Sequence, residues 1–349
     1  MIAAGGTGGH LYPGLALGRA LREKALEVVF VVKKNDASRE ILEQEQFAYR
    51  EIPAAGMPRK PSLRIFTFFI QTIRGFFAAR RMLCRKRPRS VFGMGGYVSF
   101  PVVAAAKLLG IRVIIHEQNV VPGLTNRILA RLADAITVSF DETKKYFPKR
   151  EVVVTGNPIR QELFSSSYED AIRKLKLAKN KFTVLIFGGS QGSAWINKTV
   201  VDAWELLGDD RRRLQLLHIS GKNDYEGLAK EYTARGIAGS LFPYVHEMGY
   251  AYEAADFIIC RSGAMTVSEL RILNKPALLI PFPFATDRHQ YYNALVLKQL
   301  GMATVIEEKD LTASDVAENI REHLGSFLGH TRDVQLPEEL PQELLAGLA

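Results

Sequence analysis

Short apolar runs rich in β-branched residues alternate with helix-forming stretches along nearly the whole chain. Continuous apolar strands of this length are typical of parallel sheets that are covered by helices on both faces. The alternation therefore predicts an α/β protein with doubly wound parallel sheets. The predicted strands span residues 28–32, 90–92, 113–115, 135–138 and 152–154 in the first half, and 183–187, 215–219, 257–260, 277–280 and 304–306 in the second half.

The length of the chain predicts two domains. With 349 residues, it exceeds the roughly 250 to 300 residues at which a single core stops growing. We expect two Rossmann-like domains at residues 1–157 and 158–330, with a hinge at Asn157-Pro158, followed by a divergent tail at 331–349 that holds at most a short helix. Ligands of open parallel sheets bind beyond the carboxyl ends of the strands, so two such domains facing each other would form a central cleft.

Composition narrows the class of protein further. Hydrophobic residues make up 47% and charged residues 24% of the chain, as in ordinary globular proteins. Two distant cysteines, Cys84 and Cys260, have neither disulfide-framework nor zinc spacing and favour a reducing compartment. No membrane span or signal peptide is evident. The net charge of +9 predicts an anionic partner, which nucleic acid, a phosphorylated substrate or an acidic lipid surface would satisfy.

A glycine-rich turn at residues 5–10 would follow a short strand within residues 1–4 and open a helix. It suits the close approach of a diphosphate, although glycine is also required by a tight turn alone. The dehydrogenase fingerprint is not matched, because Leu11 stands where a third glycine is needed and Lys33-Lys34 where an acid should bind ribose. His10 lies at the helix start, where the positive end of the dipole favours the neutral imidazole of a general base. A purely structural histidine is the alternative.

Polar motifs follow other predicted strands of the first half. Another glycine turn spans residues 93–99. Four polar residues at 116–119 come directly after a strand, which favours a binding role. Glu117 would assist His10 or bind a sugar hydroxyl. Arg160, just after the hinge, would reach a bound phosphate or base, or else lie in solvent.

The second half repeats the arrangement of strand, glycine turn and helix at residues 188–193. Residues 261–269 follow another strand and open a helix, whose N-terminus suits a diphosphate leaving group. Glu269 would accept hydrogen bonds from ribose hydroxyls, or would close a capping box with Thr266. Gln290, after the next strand, is expected to bind a hydroxyl of the donor sugar.

We predict no metal and no cofactor. The sequence has no Asp-x-Asp motif, which removes the usual carboxylate pair for a metal bound to a nucleotide diphosphate. Helix dipoles and arginine would then offset the charge of the leaving group.

The segment from residue 63 to residue 87 interleaves aromatic and basic side chains. Much of it would form a helix packed on the sheet, but its aromatic content exceeds what one core face requires. A helix that lies at a lipid interface has this composition. We therefore predict contact with an anionic membrane surface. Nucleic acid is less favoured, because no recognised nucleic-acid module is present. The residues predicted to contact the membrane are Phe69, Ile73, Phe76, Phe77, Arg80 and Arg81.

The motifs in this order resemble the MurG family, bacterial enzymes that transfer N-acetylglucosamine from UDP-GlcNAc to lipid I. The resemblance implies a GT-B fold and an inverting hexosyltransferase that forms a β-1,4 link to the 4-hydroxyl of the N-acetylmuramyl group, giving lipid II for peptidoglycan and cell-wall synthesis. It covers nearly the whole chain and rests on residues 5–10, 93–99, 116–119, 156–160, 188–192, 261–269 and 287–293.

The resemblance also implies roles for individual residues. His10 would be the base, with Glu117 as a second catalytic residue. The partners implied are UDP-GlcNAc, undecaprenyl-linked lipid I and other cell-wall synthesis proteins, at the cytoplasmic face of the plasma (inner) membrane, with peripheral attachment. UDP-GlcNAc would contact Thr7, Gly8, Gly9, Asn119, Arg160, Ser190, Val245, Ala264, Met265, Thr266, Val267, Ser268, Glu269 and Gln290.

Two other readings stay open at the level of sequence. One keeps the fold and changes the chemistry, as in a lipid galactosyltransferase or a UDP-GlcNAc 2-epimerase. The other is a catalytically silent nucleotide-sugar-binding subunit, in which His10 and Glu269 would have no evident use.

Overall fold

The computed structural model describes residues 1–5, 8–36, 38–58, 64–159, 161–164, 166–189 and 191–327. The chain divides into two compact units, of which the first spans residues 1–159 and the second begins at residue 160. The tail expected at 331–349 lies outside the described residues.

The described residues of the first unit form one seven-stranded sheet flanked by helices. Its strands are β1 (Ile2–Ala3), β2 (Val29–Lys33), β3 (Ala48–Ile52), β4 (Ser90–Gly93), β5 (Arg112–Glu117), β6 (Ala135–Val138) and β7 (Val152–Val154). Its helices are α1 (Gly8–Glu23), α2 (Ser38–Gln44), α3 (Arg64–Lys86), α4 (Gly96–Leu108) and α5 (Leu124–Leu129). The strand order is β3-β2-β1-β4-β5-β6-β7, and the strand pairs are parallel.

Both faces of this sheet are covered. Leu83 of α3 and Val102 of α4 belong to a buried cluster on one side, while Leu15 of α1 and Leu42 of α2 belong to a separate buried cluster with other sheet residues. Helices on both faces bury the β-branched residues of the inner strands β2, β4 and β5, which explains the continuous apolar runs in the sequence.

The described part of the second unit forms a six-stranded sheet of the same design. Its strands are β8 (Phe182–Phe187), β9 (Leu214–Ile219), β10 (Gly239–Phe242), β11 (Phe257–Cys260), β12 (Ala277–Leu279) and β13 (Ala303–Val305). Its helices are α6 (Tyr168–Lys174), α7 (Ala194–Leu206), α8 (Tyr225–Ala234), α9 (Met248–Ala254), α10 (Ala264–Ile272), α11 (His289–Gln299) and α12 (Ala313–Gly325). The order is β10-β9-β8-β11-β12-β13, again with parallel pairs.

The prediction of two doubly wound parallel sheets is confirmed, and each predicted strand is present with its ends shifted by no more than a few residues. Two further strands, β3 and β10, were not predicted. Both lie at the edge of their sheet and are mostly exposed or half-buried, so their sequences lack the continuous apolar pattern of the central strands.

In each sheet the order of the strands changes direction where the first strand of the unit pairs with the fourth. β1 lies beside β4, with Ala3 opposite Gly93, and β8 lies beside β11, with Phe187 opposite Cys260. At such a switch point the connections leave the sheet on opposite faces and open a crevice for ligands. The fold therefore brings the glycine turns after β1 and β4 together in the first unit, and those after β8 and β11 in the second.

Candidate active site

His10 lies in the first turn of α1, which begins at Gly8. Its ring packs against the turn after β4, where Gly95 and Gly96 have φ angles of +87° and +71°. A Cβ atom built on either glycine would lie 3.1 Å from a ring carbon of His10. Glycine is therefore required at both positions, by the backbone angle and by the histidine ring.

Gln118 determines the protonation pattern of this histidine. Its Nε2 donates a hydrogen bond of 2.9 Å to the carbonyl oxygen of Met94, and its Oε1 lies 3.3 Å from Nδ1 of His10. Since the amide oxygen faces the ring, Nδ1 of a neutral His10 carries the proton, and Nε2 is the nitrogen that can accept one. The sequence motif at 116–119 contained Gln118, but nothing in it distinguished this residue from its polar neighbours.

Glu117 is buried and holds the loop that follows β5. Its Oε1 accepts hydrogen bonds from the backbone N–H and the side-chain amide of Asn119, at 3.0 and 3.2 Å. Its Oε2 accepts from the N–H of Gly123 and from Nδ2 of Asn126, at 3.1 and 2.9 Å. A catalytic role for Glu117 stays a prediction, and this geometry favours a residue that positions the loop.

His116 ties the same loop to its neighbours. Its Nδ1 lies 3.0 Å from the hydroxyl of Thr137, and its Nε2 lies 3.3 Å from the hydroxyl of Ser139 and 3.4 Å from Oδ1 of Asn157. Burial lowers the pKa of His116 to about 4. The ring therefore stays neutral at physiological pH and serves as a structural joint between β5, β6 and the end of the first unit.

In the second unit, α10 begins at Ala264 without a side-chain cap, and Gly263 precedes it in extended conformation. The capping box suggested for residues 266–269 is wrong, because Thr266 already lies inside the helix. Glu269 is instead buried, and its Oε2 accepts a hydrogen bond of 2.8 Å from the hydroxyl of Tyr252. The first N–H groups of a helix lack intrahelical partners, so this N-terminus is suited to an anion.

The remaining predicted donor residues differ in accessibility. Val267 and Ser268 are buried, whereas Met265 and Thr266 are half-buried.

Gln290 and Val245 are also half-buried in the second unit. The Oε1 atom of Gln290 accepts a hydrogen bond of 2.9 Å from the N–H of Phe282, which fixes the amide orientation. Val245 lies in the connection between β10 and α9.

Of the predicted first-unit residues, Gly8 and Gly9 are exposed in the first turn of α1. Thr7, Arg160 and Ser190 lie outside the described residues.

Arg261 is a buried residue whose role the sequence did not reveal. Its Nη1 donates to the carbonyl oxygens of Ile280 and Pro281, both at 3.2 Å, and its Nη2 donates to the hydroxyl of Ser193 at 2.8 Å and pairs with Glu308. The guanidinium group thus joins the turn after β8 to the segments after β12 and β13.

The surface of α3 carries the predicted membrane contact. Phe69, Ile73 and Phe77 are between 55% and 61% exposed, and Arg80 and Arg81 are exposed as well. Phe76 is half-buried and packs against the core, which leaves less of its ring for a lipid surface than the prediction assumed. Two further exposed apolar residues on this helix, which the prediction omitted, are Phe66 and Ile70. Among the described helices, α3 included, none is both long enough and apolar enough to cross a membrane.

Two parallel-sheet units with such paired turns are the architecture of the GT-B class of glycosyltransferases. Residues 1–138 match the glycosyltransferase family 28 N-terminal domain, and residues 183–326 match the glycosyltransferase family 28 C-terminal domain. The chain belongs to glycosyltransferase family 28.

Relatives of known name are similar over both units. A UDP-N-acetylglucosamine–N-acetylmuramyl-(pentapeptide) pyrophosphoryl-undecaprenol N-acetylglucosamine transferase of Myxococcus xanthus is 38% identical over 92% of this chain and 83% of its own length. One of the same name from Caldanaerobacter subterraneus is 40% identical over 92% of this chain and 89% of its own.

Solved structures agree with this relationship. Acinetobacter baumannii MurG superposes with a TM-score of 0.75 at 29% identity, covering 92% of this chain and 89% of that one. A UDP-N-acetylglucosamine 2-epimerase from Listeria monocytogenes reaches 0.69 at 12% identity over 93% and 87% of the two chains, a likeness of fold alone.

Replacing Glu117 by Gln should destabilise the first unit by about 2 kcal/mol, because the new NH₂ group faces N–H donors that the carboxylate now satisfies. Urea unfolding monitored by circular dichroism measures the change. Glu322→Gln, which alters an exposed glutamate on α12, is the matched control and should leave the midpoint unchanged. An unchanged midpoint for Glu117→Gln, with activity lost, would instead assign Glu117 a direct role in the reaction.

Proposed function

We propose that this chain transfers N-acetylglucosamine from UDP-GlcNAc to the 4-hydroxyl of the N-acetylmuramyl group of lipid I, with inversion, to give lipid II. The observation that carries the proposal is the extent of the similarity, which runs through both units at 38 to 40% identity in relatives of that named activity. Motifs of both units are thus retained on one chain. An epimerase is supported only by a likeness of fold.

In this proposal His10 is the general base. Transfer to a sugar hydroxyl requires removal of its proton as the oxygen attacks the anomeric carbon, and a neutral imidazole is suited to accept it. Gln118 positions the ring and keeps the proton on Nδ1, so Nε2 receives the proton from the acceptor. Glu117 acts indirectly, by holding the loop that carries Gln118 and Asn119.

The second unit binds the donor. The N-terminus of α10 receives the diphosphate, where the helix dipole offsets the charge that develops on the leaving UDP. Glu269 binds the ribose hydroxyls while Tyr252 holds its carboxylate, Gln290 binds the sugar, and Val245 lies at the uracil. Thr7, Arg160 and Ser190 are proposed as further contacts on the basis of their motifs.

The first unit binds the acceptor and attaches peripherally to the cytoplasmic face of the plasma membrane through α3. Phe69, Ile73 and Phe77 expose more than half of their surface to solvent beside Arg80 and Arg81. Burial of such side chains at a lipid interface is favourable, and arginines attract anionic headgroups. This attachment brings the enzyme to a lipid-linked substrate.

The direct test incubates purified protein with labelled UDP-GlcNAc and a lipid I analogue, with and without EDTA. We expect labelled lipid in both samples, because the sequence lacks the Asp-x-Asp motif of metal-dependent relatives of this chemistry. No product in either sample would exclude the proposed function. Product lost only with EDTA would exclude the metal-independent step.

In the same assay, His10→Asn should lower kcat about 100-fold or more, the contribution typical of a general base. Gln118→Leu should lower kcat by a smaller factor, because the proton of a neutral His10 is then no longer held on Nδ1. The KM for UDP-GlcNAc should stay unchanged, because Gln118 is not among the residues proposed to bind the donor. Gln44→Leu, at an exposed position on α2, is the control and should behave as wild type. Full activity of His10→Asn would contradict the assignment of the base.

For the membrane contact, the double variant Phe69→Ser/Ile73→Ser should float with anionic liposomes more than tenfold less than wild type, roughly what the lost burial of two large apolar side chains predicts. The matched control is Leu206→Ser/Leu300→Ser, which removes two exposed apolar side chains from the second unit. Equal flotation of the two variants would remove α3 from the membrane surface.

A further inference from the structure

A second concave site lies in the first unit, where Lys33, one of its lining residues, also borders the glycine turns after β1 and β4. It is a cavity of about 420 Å³ between α3 and the carboxyl ends of β2 and β3, a volume within the range of small-ligand pockets. We call it the basic cavity, and the lining residues that matter here are Lys33, Lys34, Asn35, Pro53, Gln71 and Arg74.

Gly75 makes the basic cavity possible. A Cβ atom at this position would lie 2.3 Å from the carbonyl oxygen of Pro53, a distance that no side chain tolerates. Glycine therefore lets the backbone of α3 press directly against the end of β3. This close approach brings Gln71 and Arg74, one turn apart on the helix, to the same cavity as the lysines at the end of β2.

The charges of the basic cavity are not balanced by its own lining. Lys34 and Arg74 are exposed and form no ion pair among the described residues, and Lys33 lies 5.9 Å from the ring of Tyr97. The three cations line one cavity that has no acidic side chain.

The nearest carboxylates have other partners. Glu51 accepts the backbone N–H of Asn35 at 3.1 Å and lies 3.7 Å from Arg39. Asp36 accepts the N–H and hydroxyl of Ser38, at 2.9 and 2.6 Å. Like charges gathered in a concave surface repel one another and attract an anion.

The position of the cavity indicates what kind of molecule carries that anion. Ile70 and Ile73 each precede a cavity residue by one position, so on the helix surface their exposed row runs beside the row of Gln71 and Arg74. An anion in the cavity would thus lie next to apolar surface. A phosphate group offers several acceptor oxygens for lysine, arginine and amide donors.

We propose that the basic cavity binds a phosphate group borne on a lipid, with Lys33, Lys34 and Arg74 as cationic ligands and Gln71 as an amide donor. Two lipids carry this chemistry. One is the diphosphate-linked acceptor, in which case the inference rests on the proposed function. The other is an anionic phospholipid of the surrounding membrane, in which case the inference stands without it.

The test compares the full-length double variant Lys34→Gln/Arg74→Gln with wild type. The matched control is Lys24→Gln/Lys298→Gln, which removes two exposed cations elsewhere. One arm measures transfer to a water-soluble, short-chain diphosphate acceptor without vesicles. The other arm measures sedimentation with phosphatidylcholine vesicles, with and without phosphatidylglycerol.

An acceptor site predicts an increase of about tenfold in the KM for the short-chain acceptor, with the KM for UDP-GlcNAc unchanged. A phospholipid site predicts that binding to phosphatidylglycerol vesicles falls about tenfold, with binding to neutral vesicles and both KM values unchanged. In either case the conservative variant Lys34→Arg/Arg74→Lys should restore the value. Cavity and control variants that behave alike in both arms would overturn the proposal.

A third measurement uses wild-type protein and does not depend on the folding of a variant. Inorganic pyrophosphate should protect Lys34 from acetylation, detected by mass spectrometry, while Lys24 continues to react. Equal reaction of both lysines would count against the cavity. Failure of wild-type transfer would exclude the proposed function, whereas the vesicle and protection measurements would still decide whether the cavity binds phosphate.

Discussion

The side-by-side pairing of the first and fourth strands is the constraint on which the candidate site depends. The pairing of β1 with β4 brings the turn that carries His10 against the glycines of the turn after β4. The pairing of β8 with β11 brings the turn after β8 within reach of Arg261, which binds Ser193. Parallel strands end at the same edge of the sheet, so each unit gathers residues distant in sequence at one crevice.

Around these crevices, buried polar groups fix the backbone. The Glu117 carboxylate satisfies four N–H donors, three in the loop after β5 and one from Asn126 in α5. The Arg261 guanidinium binds two carbonyl oxygens, a hydroxyl and a carboxylate. A buried charge is tolerated only with such partners, and removal of one partner leaves the others unsatisfied. We therefore expect the loops at both crevices to be rigid before any ligand binds, as effective catalysis requires.

The central part of the fold could be predicted from sequence because the strands buried on both faces consist mostly of apolar residues. The edge strands β3 and β10 could not be predicted, since β3 exposes Arg50 and Glu51 and β10 begins with Gly239 and Ser240. The edge strands β7 and β13 could, because short apolar runs rich in β-branched residues mark them in the sequence. The glycine turns could be located because each one follows directly on a predicted strand.

Individual roles within the site were less predictable. Whether Glu269 caps its helix depends on where the helix begins, and the structure places that start at Ala264. The contact of Gln118 with His10 joins residues 108 positions apart in the chain. Such a contact depends on tertiary structure, and no local pattern reports it.

We propose that the nucleotide of the donor binds at the N-terminus of α10 in the second unit. Amide hydrogen exchange of the whole chain, measured by mass spectrometry with and without UDP, tests this most directly. We predict that UDP slows exchange in peptides that cover residues 242–247 and 261–269. Unchanged exchange in these peptides, or protection confined to the first unit, would contradict it.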